Sequence, residues 1–157
     1  MSTATLRDLS TWKDRTSKDE ADIQAIVESV HQAHQNKDAA ALVAPYAQEA
    51  VIFNLAPPLS HLGMDLQEKQ AWLDTWEGPV DCESREIDIT LSGDFAFCHG
   101  FYRLSGTPKA AGRAVSFWMR ATVCLIRGGD SWRIVHEHTS VPFYMDGSLR
   151  PAFDLNP

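Results

Sequence analysis

Four long strand-like runs follow one another in the second half of the chain: "CESREIDITLS" (82–92), "DFAFCHGFYRLSG" (94–106), "AVSFWMRATVCLIR" (114–127) and "SWRIVHEHTSVPF" (131–143). No feature constrains the fold more. Strands joined by only a few residues pair antiparallel with their neighbours, because a parallel pairing needs a crossover of a dozen or more residues. The punctuation fits hairpins: Gly93-Asp94, the Gly106-to-Gly112 loop and Gly128-Gly129. The second half therefore reads as an antiparallel meander from about Val80 onward, and a sheet with one apolar face needs a second layer to cover it.

That layer is written in the first half. Ser17 and Glu20 stand at capping-box spacing. Ile23, Ile26, Val27, Val30 and His34 then recur on one face, which predicts a helix over about 18–36. Asp38 caps a second, shorter helix through "AAALVAPYA", ended or kinked by Pro45, and "AVIFN" (50–54) is a short strand before a stiff "APPL" loop. "DLQEKQAWLDTW" (65–76) predicts a third helix, with Leu66, Leu73 and Trp76 on one side and Trp72 one turn before Trp76. The fold class expected is α+β: a curved, mostly antiparallel sheet covered by about three N-terminal helices. A length of 157 residues suits a single core. We read 1–17 as an N-terminal extension and 18–157 as one domain without repeats or linkers.

Charge and cysteines narrow the function. The formal charge of −7, with no Lys/Arg cluster, gives a field that repels phosphate backbones and anionic lipid, so neither nucleic acid nor membrane is an expected partner. Cys82, Cys98 and Cys124 are odd in number and far apart, which argues against a disulfide framework or a metal knuckle and for small buried hydrophobes. With no apolar leader in the first residues, a cytoplasmic location is expected.

A two-residue turn at Gly128-Gly129 would pair Arg127 with Asp130 and set Arg120 opposite Glu137. On this register Trp118, Arg120, Thr122, Cys124, Val135, Glu137 and Thr139 share one face. Phe117, Met119, Ala121, Val123, Ile134, His136, His138 and Ser140 share the other. A slip of one residue exchanges the faces.

The segments "AVIFNLAPPL", "AFCHGFYRLSGT", "MRATVCLIRGGDSWRIVHEHTSVPF" and "YMDGSLRPAFDLNP" resemble a SnoaL-like group within the nuclear transport factor 2-like superfamily, whose members are often labelled ketosteroid isomerase homologues. The Arg-x-Thr strand followed by Trp-Arg-Ile-Val-His-x-His-x-Ser-x-Pro is also similar to the association domain of calmodulin-dependent protein kinase II. The resemblance covers roughly residue 18 to the C-terminus. It implies a cone, a bent sheet wrapped around an apolar pocket, in a homodimer. The superfamily includes isomerases, dehydratases, cyclases and proteins that only bind or assemble, so fold alone does not choose. Aligned on "YAQEAVIFNLAP", Asn54 stands where the isomerase has its catalytic Asp, and an amide cannot be that base. Val30 stands near that family's Tyr and Thr122 near its oxyanion Asp, so the isomerase mechanism does not carry over.

The polar candidates are Asn54, Arg120, Glu137 and His99, with Trp118 as a flat apolar wall. Arg120 is a plausible grip for a carboxylate or enolate oxygen, and its replacement by Ala should then abolish ligand binding. His99 or Glu137 would carry the proton. The competing reading makes Arg120 and Glu137 a structural ion pair and His99 a hydrogen-bonded core or interface residue. His136 and His138 would line the pocket if the register slips. As a metal platform they lack a third ligand, so no metal is assigned. Trp72 and Trp76 read as core or as an aromatic wall, and the C-terminal tail as folding back over the sheet or reaching a neighbouring subunit. The function expected is a cofactor-independent isomerase, dehydratase or cyclase acting on a small apolar carbonyl or carboxylate compound. The alternatives are a non-catalytic binder or an assembly module.

Overall fold

The computed structural model describes residues 17–157; most of the expected N-terminal extension lies outside the described residues. Helix α1 (Ser17–Gln35) carries Asp19 and Glu20 in its first turn and His34 in its last, both favourable to the helix dipole. The side chain of Ser17, and with it the expected capping box, is outside the description. Asp38 caps α2 (Ala39–Val43) by accepting from the Ala41 amide at 2.9 Å. Pro45 then stops the helix, and Tyr46 opens strand β1 (Tyr46–Phe53). The sequence reading had placed Tyr46 in the tail of α2. A two-residue β2 (His61–Leu62) pairs back on β1. Asp65 caps α3 (Leu66–Asp74) through the Glu68 amide at 2.8 Å. Trp76, expected on that helix, is the first residue of β3 (Trp76–Ser92), which therefore starts earlier than Val80. Strands β4 (Phe95–Pro108), β5 (Val115–Gly128) and β6 (Ser131–Ser140) follow as consecutive hairpins.

The six strands form one curved sheet in the order β2-β1-β6-β5-β4-β3. Only β1 and β6 run parallel, because the whole meander separates them along the chain. Three helices and a mixed, mostly antiparallel sheet make this the α+β cone expected.

The register differs from the sequence reading in two steps. The β5–β6 turn pairs Gly128 with Ser131, not Arg127 with Asp130. Further along, Leu125 pairs with Ile134 but Cys124 pairs with His136, so Val135 is an extra residue on β6. Such a bulge exchanges the faces of everything beyond it. Val123, not Arg120, therefore stands opposite Glu137, and Arg120 stands opposite Ser140. A second irregularity lies on β3 between Arg85 and Asp88, where Glu86 has φ 53°. It leaves no room for a side chain at Gly100, where a Cβ would lie 2.4 Å from Ile87 Cδ1 and 3.0 Å from the Arg85 carbonyl oxygen.

The main core joins Ile23 of α1 to Ile52, Leu91, Ala96, Leu125 and Ile134 on the concave face of the sheet. A smaller cluster joins Ala33, Ala39, Leu42 and Leu73 of the three helices. Residues as fully enclosed as Ile23, Ile52, Leu91 and Leu125 each contribute about 1.5–3 kcal/mol of burial. Arg127 ties the start of α1 to the sheet by stacking 4.5 Å over Trp132 and pairing with Asp19 at 2.6 Å. Cys82, Cys98 and Cys124 are unpaired, Cys98 fully buried. The tail does fold back: the Ala152 amide donates to Pro142 O at 2.8 Å, and the Phe153 ring sits 4.6 Å from Phe117. Among the described residues no helix is long and apolar enough to cross a membrane.

Candidate functional site

A cavity of about 810 Å³ opens between the concave face of the sheet and the helices. Both core clusters contribute to its walls, which include Val30, Leu42, Trp72, Met119, Val123 and Phe153. Polar side chains interrupt these walls, among them His31, Tyr46, Asn54, Lys69, Tyr102 and Glu137.

Glu137 and Tyr46 form the best-defined pair. Parallel pairing of β1 with β6 sets Tyr46 beside Ile134 and Ile52 beside Glu137. The Tyr46 hydroxyl donates to Glu137 Oε2 at 2.5 Å. Burial pushes the Glu137 carboxyl above the usual carboxylate range, while the Tyr46 hydrogen bond and the Lys69 and His136 charges pull it down. Burial, then the neighbouring carboxylate, pushes the Tyr46 phenol well above its ordinary value. Tyr46 thus keeps its proton and donates, and Glu137 accepts. An enclosed carboxyl whose proton affinity is raised towards neutrality is suited to taking and returning a proton.

The remaining polar groups surround this pair. Tyr102 is raised by burial, and its hydroxyl has no hydrogen-bond partner among the described residues. Its ring meets the edge of His31 at 5.6 Å. His31 is buried; desolvation holds its imidazole below the ordinary value, Glu28 opposing, and Nε2 has no partner. His34 is likewise lowered by burial, is bonded through Nδ1 to Val30 O at 2.7 Å, and lies edge-on to Trp72 at 5.7 Å. Trp72 and Trp76 touch each other at 5.7 Å and both line the cavity, so they serve as core and as aromatic wall together.

Of the residues singled out in the sequence, Glu137 and Asn54 line the cavity. Trp118, Arg120, Thr122, His99, His136 and His138 do not; the bulge at Val135 turns His136 and His138 to the outward face that Trp118, Arg120, Thr122 and His99 share, and turns Glu137 away from it. Trp118 is buried there between the guanidinium groups of Arg85 and Arg103, 4.8 and 5.5 Å from its ring. Arg120 and Thr122 are exposed, and Thr122 stands between His99 and His138 in the ladder. The His99 ring is exposed and stacks on Phe97 at 6.1 Å. His136 bonds Val51 O through Nδ1 at 2.7 Å, and the His136 and His138 rings stand edge-on to Phe53 at 5.0 and 5.7 Å. No group of three or more His, Cys, Asp or Glu able to hold a metal occurs among the described residues.

Sequence reasoning overlooked Tyr46, Tyr102 and Lys69, and left His31 without a place. Two signals were available. Tyr46 directly follows the proline that ends α2, and Lys69 lies three and four residues before Trp72 and Leu73 on one helical stripe. Tyr102 shares its side of β4 with Cys98 and Leu104, and nothing local marked that side as the one lining the cavity.

Comparison with known proteins places this geometry in context. Residues 23–144 match the SnoaL-like domain. No curated protein matches the chain in sequence. An NTF2-like protein of unknown function from Pseudomonas putida KT2440 is 29% identical, covers 90% of this chain and 99% of its own, and superposes with a TM-score of 0.78. A ketosteroid isomerase-like protein from Erwinia carotovora atroseptica shares 22% identity, 80% and 97% coverage, and a TM-score of 0.67. A proposed scytalone dehydratase from Novosphingobium aromaticivorans shares 12% identity, 87% and 92% coverage, and a TM-score of 0.72. At such identities the last two establish a shared fold alone.

Proposed function

This chain belongs to the SnoaL-like domain family, and from that premise we propose that it is a small-molecule enzyme that moves a proton on an apolar carbonyl compound, in the manner of isomerases and dehydratases. The observation that carries the reading is Glu137: one enclosed carboxyl, hydrogen-bonded to Tyr46, on the wall of a largely apolar cavity of about 810 Å³. That volume suits a ligand of drug size.

The chemistry needs only a base and a donor. Glu137 takes a proton from the carbon next to the carbonyl, and the freed electron pair moves onto the carbonyl oxygen. Tyr102, whose hydroxyl has no partner among the described residues, donates to that oxygen as charge develops. Tyr46 holds the carboxylate in place throughout. Returning the proton from Glu137 to a different carbon completes an isomerisation, while passing it to a β-hydroxyl, whose bond to carbon breaks as the electron pair returns from the enolate oxygen, releases water and completes a dehydration. Asn54 can hydrogen-bond the ligand but cannot take its proton, so the basic role falls to Glu137.

The test is proton exchange in heavy water. Cyclic apolar ketones are incubated with the protein and followed by proton NMR. Loss of the α-proton signal with wild type, and not with Glu137→Gln, is the expected result. Ketones that raise the melting temperature yet exchange no protons would replace catalysis with the second reading, a non-catalytic binder, which the amide at position 54 favours.

Two further parts of the reading concern assembly and location. The outward face of β1 and β6 exposes Val51 and Phe53 beside His136 and His138, an apolar face suited to a second copy in a homodimer. Light scattering after size exclusion decides it, a monomer mass refuting it. The three unpaired cysteines suit a reducing, cytoplasmic setting.

A further inference from the structure

Among the described residues three cationic residues border the cavity: Lys69, Arg103 and Arg113. Arg103 is ion-paired with Glu83, and Arg113 is exposed on the loop between β4 and β5. Lys69 differs from both. It is half-buried on α3, one turn before Trp72, and has neither a hydrogen bond nor an ion pair among the described residues. Glu137 is near enough for its charge to act on Lys69 but outside salt-bridge contact, and its Oε2 is already occupied by Tyr46. An ammonium held out of water without a partner is costly, and its lowered proton affinity records that cost. The charges of Glu137 and Glu68 act on it from a distance, yet among the described residues no carboxylate stands within salt-bridge contact of this ammonium.

We propose that Lys69 anchors an anionic group of the ligand, so that the compound taken up is an apolar molecule carrying a carboxylate or comparable oxyanion at the α3 wall. This deepens the reading above and rests on its cavity. The substrate class becomes an apolar keto acid, its carboxylate at Lys69 and its carbonyl between Glu137 and Tyr102. The anion-gripping role that the sequence assigned to Arg120 passes to a side chain inside the cavity.

Two dyes with the same skeleton, 8-anilinonaphthalene-1-sulfonate and the neutral N-phenyl-1-naphthylamine, provide the test by fluorescence titration of the whole chain. Replacing Lys69 with Met should weaken sulfonate binding by about tenfold, the worth of a charged hydrogen bond, and move the neutral dye by less than about twofold. Lys69→Arg should restore most of the preference. If Lys69 merely positions Glu137, its effect on the sulfonate dye disappears in a Glu137→Gln background; as an anchor it persists there. A ratio of affinities unchanged by Lys69→Met overturns the proposal. Lys69→Gln, checked by near-ultraviolet circular dichroism, replaces Met should the apolar variant not fold. Binding of neither dye would remove the cavity reading and this proposal together. Lys69-dependent dye preference without any proton exchange would remove only the catalytic reading.

Discussion

Replacing Tyr46 with Phe tests the centre of the site with little change of shape. The ring volume is kept, so no cavity term enters; what is lost is one hydroxyl that donates to Glu137 Oε2 at 2.5 Å. A hydrogen bond to an ionised acceptor contributes about 1.5–3 kcal/mol, and one between neutral groups about 0.5–1.5 kcal/mol. At about pH 8, where Glu137 is most ionised, Tyr46→Phe should therefore cost about 1.5–3 kcal/mol, or a fall in melting temperature of about 3–12 °C for a domain of this size. At acid pH, on the protonated side of the raised Glu137 value, the bond joins neutral groups and the cost should drop by about 1 kcal/mol. Urea denaturation of both proteins at the two pH values, followed by tryptophan fluorescence, measures it. Equal costs at both pH values, or none at the higher, would refute an ionisable Glu137 held by Tyr46.

Because burial raises Glu137 in the native state, the fold retains a proton that the unfolded chain has released. Stability from this group is greatest below the usual carboxylate value and is lost as pH rises through the raised native one. Glu137→Gln should flatten that limb, visible as urea midpoints that vary less from acid to neutral pH than in wild type. His31 and His34 act oppositely: both are lowered by burial, so stability falls as pH drops below the ordinary imidazole value of 6.5. His31→Phe should reduce the acid-side loss in the same titration, and an unaltered acid limb would contradict its burial as a neutral ring. Gly100→Ala should destabilise by about 1–3 kcal/mol, since two of the atoms its Cβ meets are backbone oxygens of the β3 bulge; an unchanged thermal midpoint would contradict the bulge. Arg120→Ala should leave ligand affinity unchanged, because the side chain is exposed on the outward face, and calorimetric titration with a carboxylate ligand checks this.

Much of the fold was legible along the chain. Asp38 and Asp65 cap the helices they were expected to cap, and the glycine turns separate β3 to β6. Those signals are local, so a short window of sequence contains them. Tyr46 and Trp76 were assigned to helix ends, where helical and extended preferences compete and neighbours on the sheet decide. Glu137 and Asn54 were named from the sequence and line the cavity, while the six other named residues lie outside it.

What the sequence determined by itself was the order of helices and strands, the hairpin meander and the pool of polar residues able to do chemistry. Which of those residues share a space was decided only by the tertiary structure. A side-chain period of two means that one extra residue, Val135, turns Glu137 into the cavity beside Tyr46 and away from the Arg120 side, and turns His136 and His138 out of it. No residue type announces such an insertion. It emerges when β6 is held between β5 on one side and a parallel β1 on the other, and the packing of both edges selects the register.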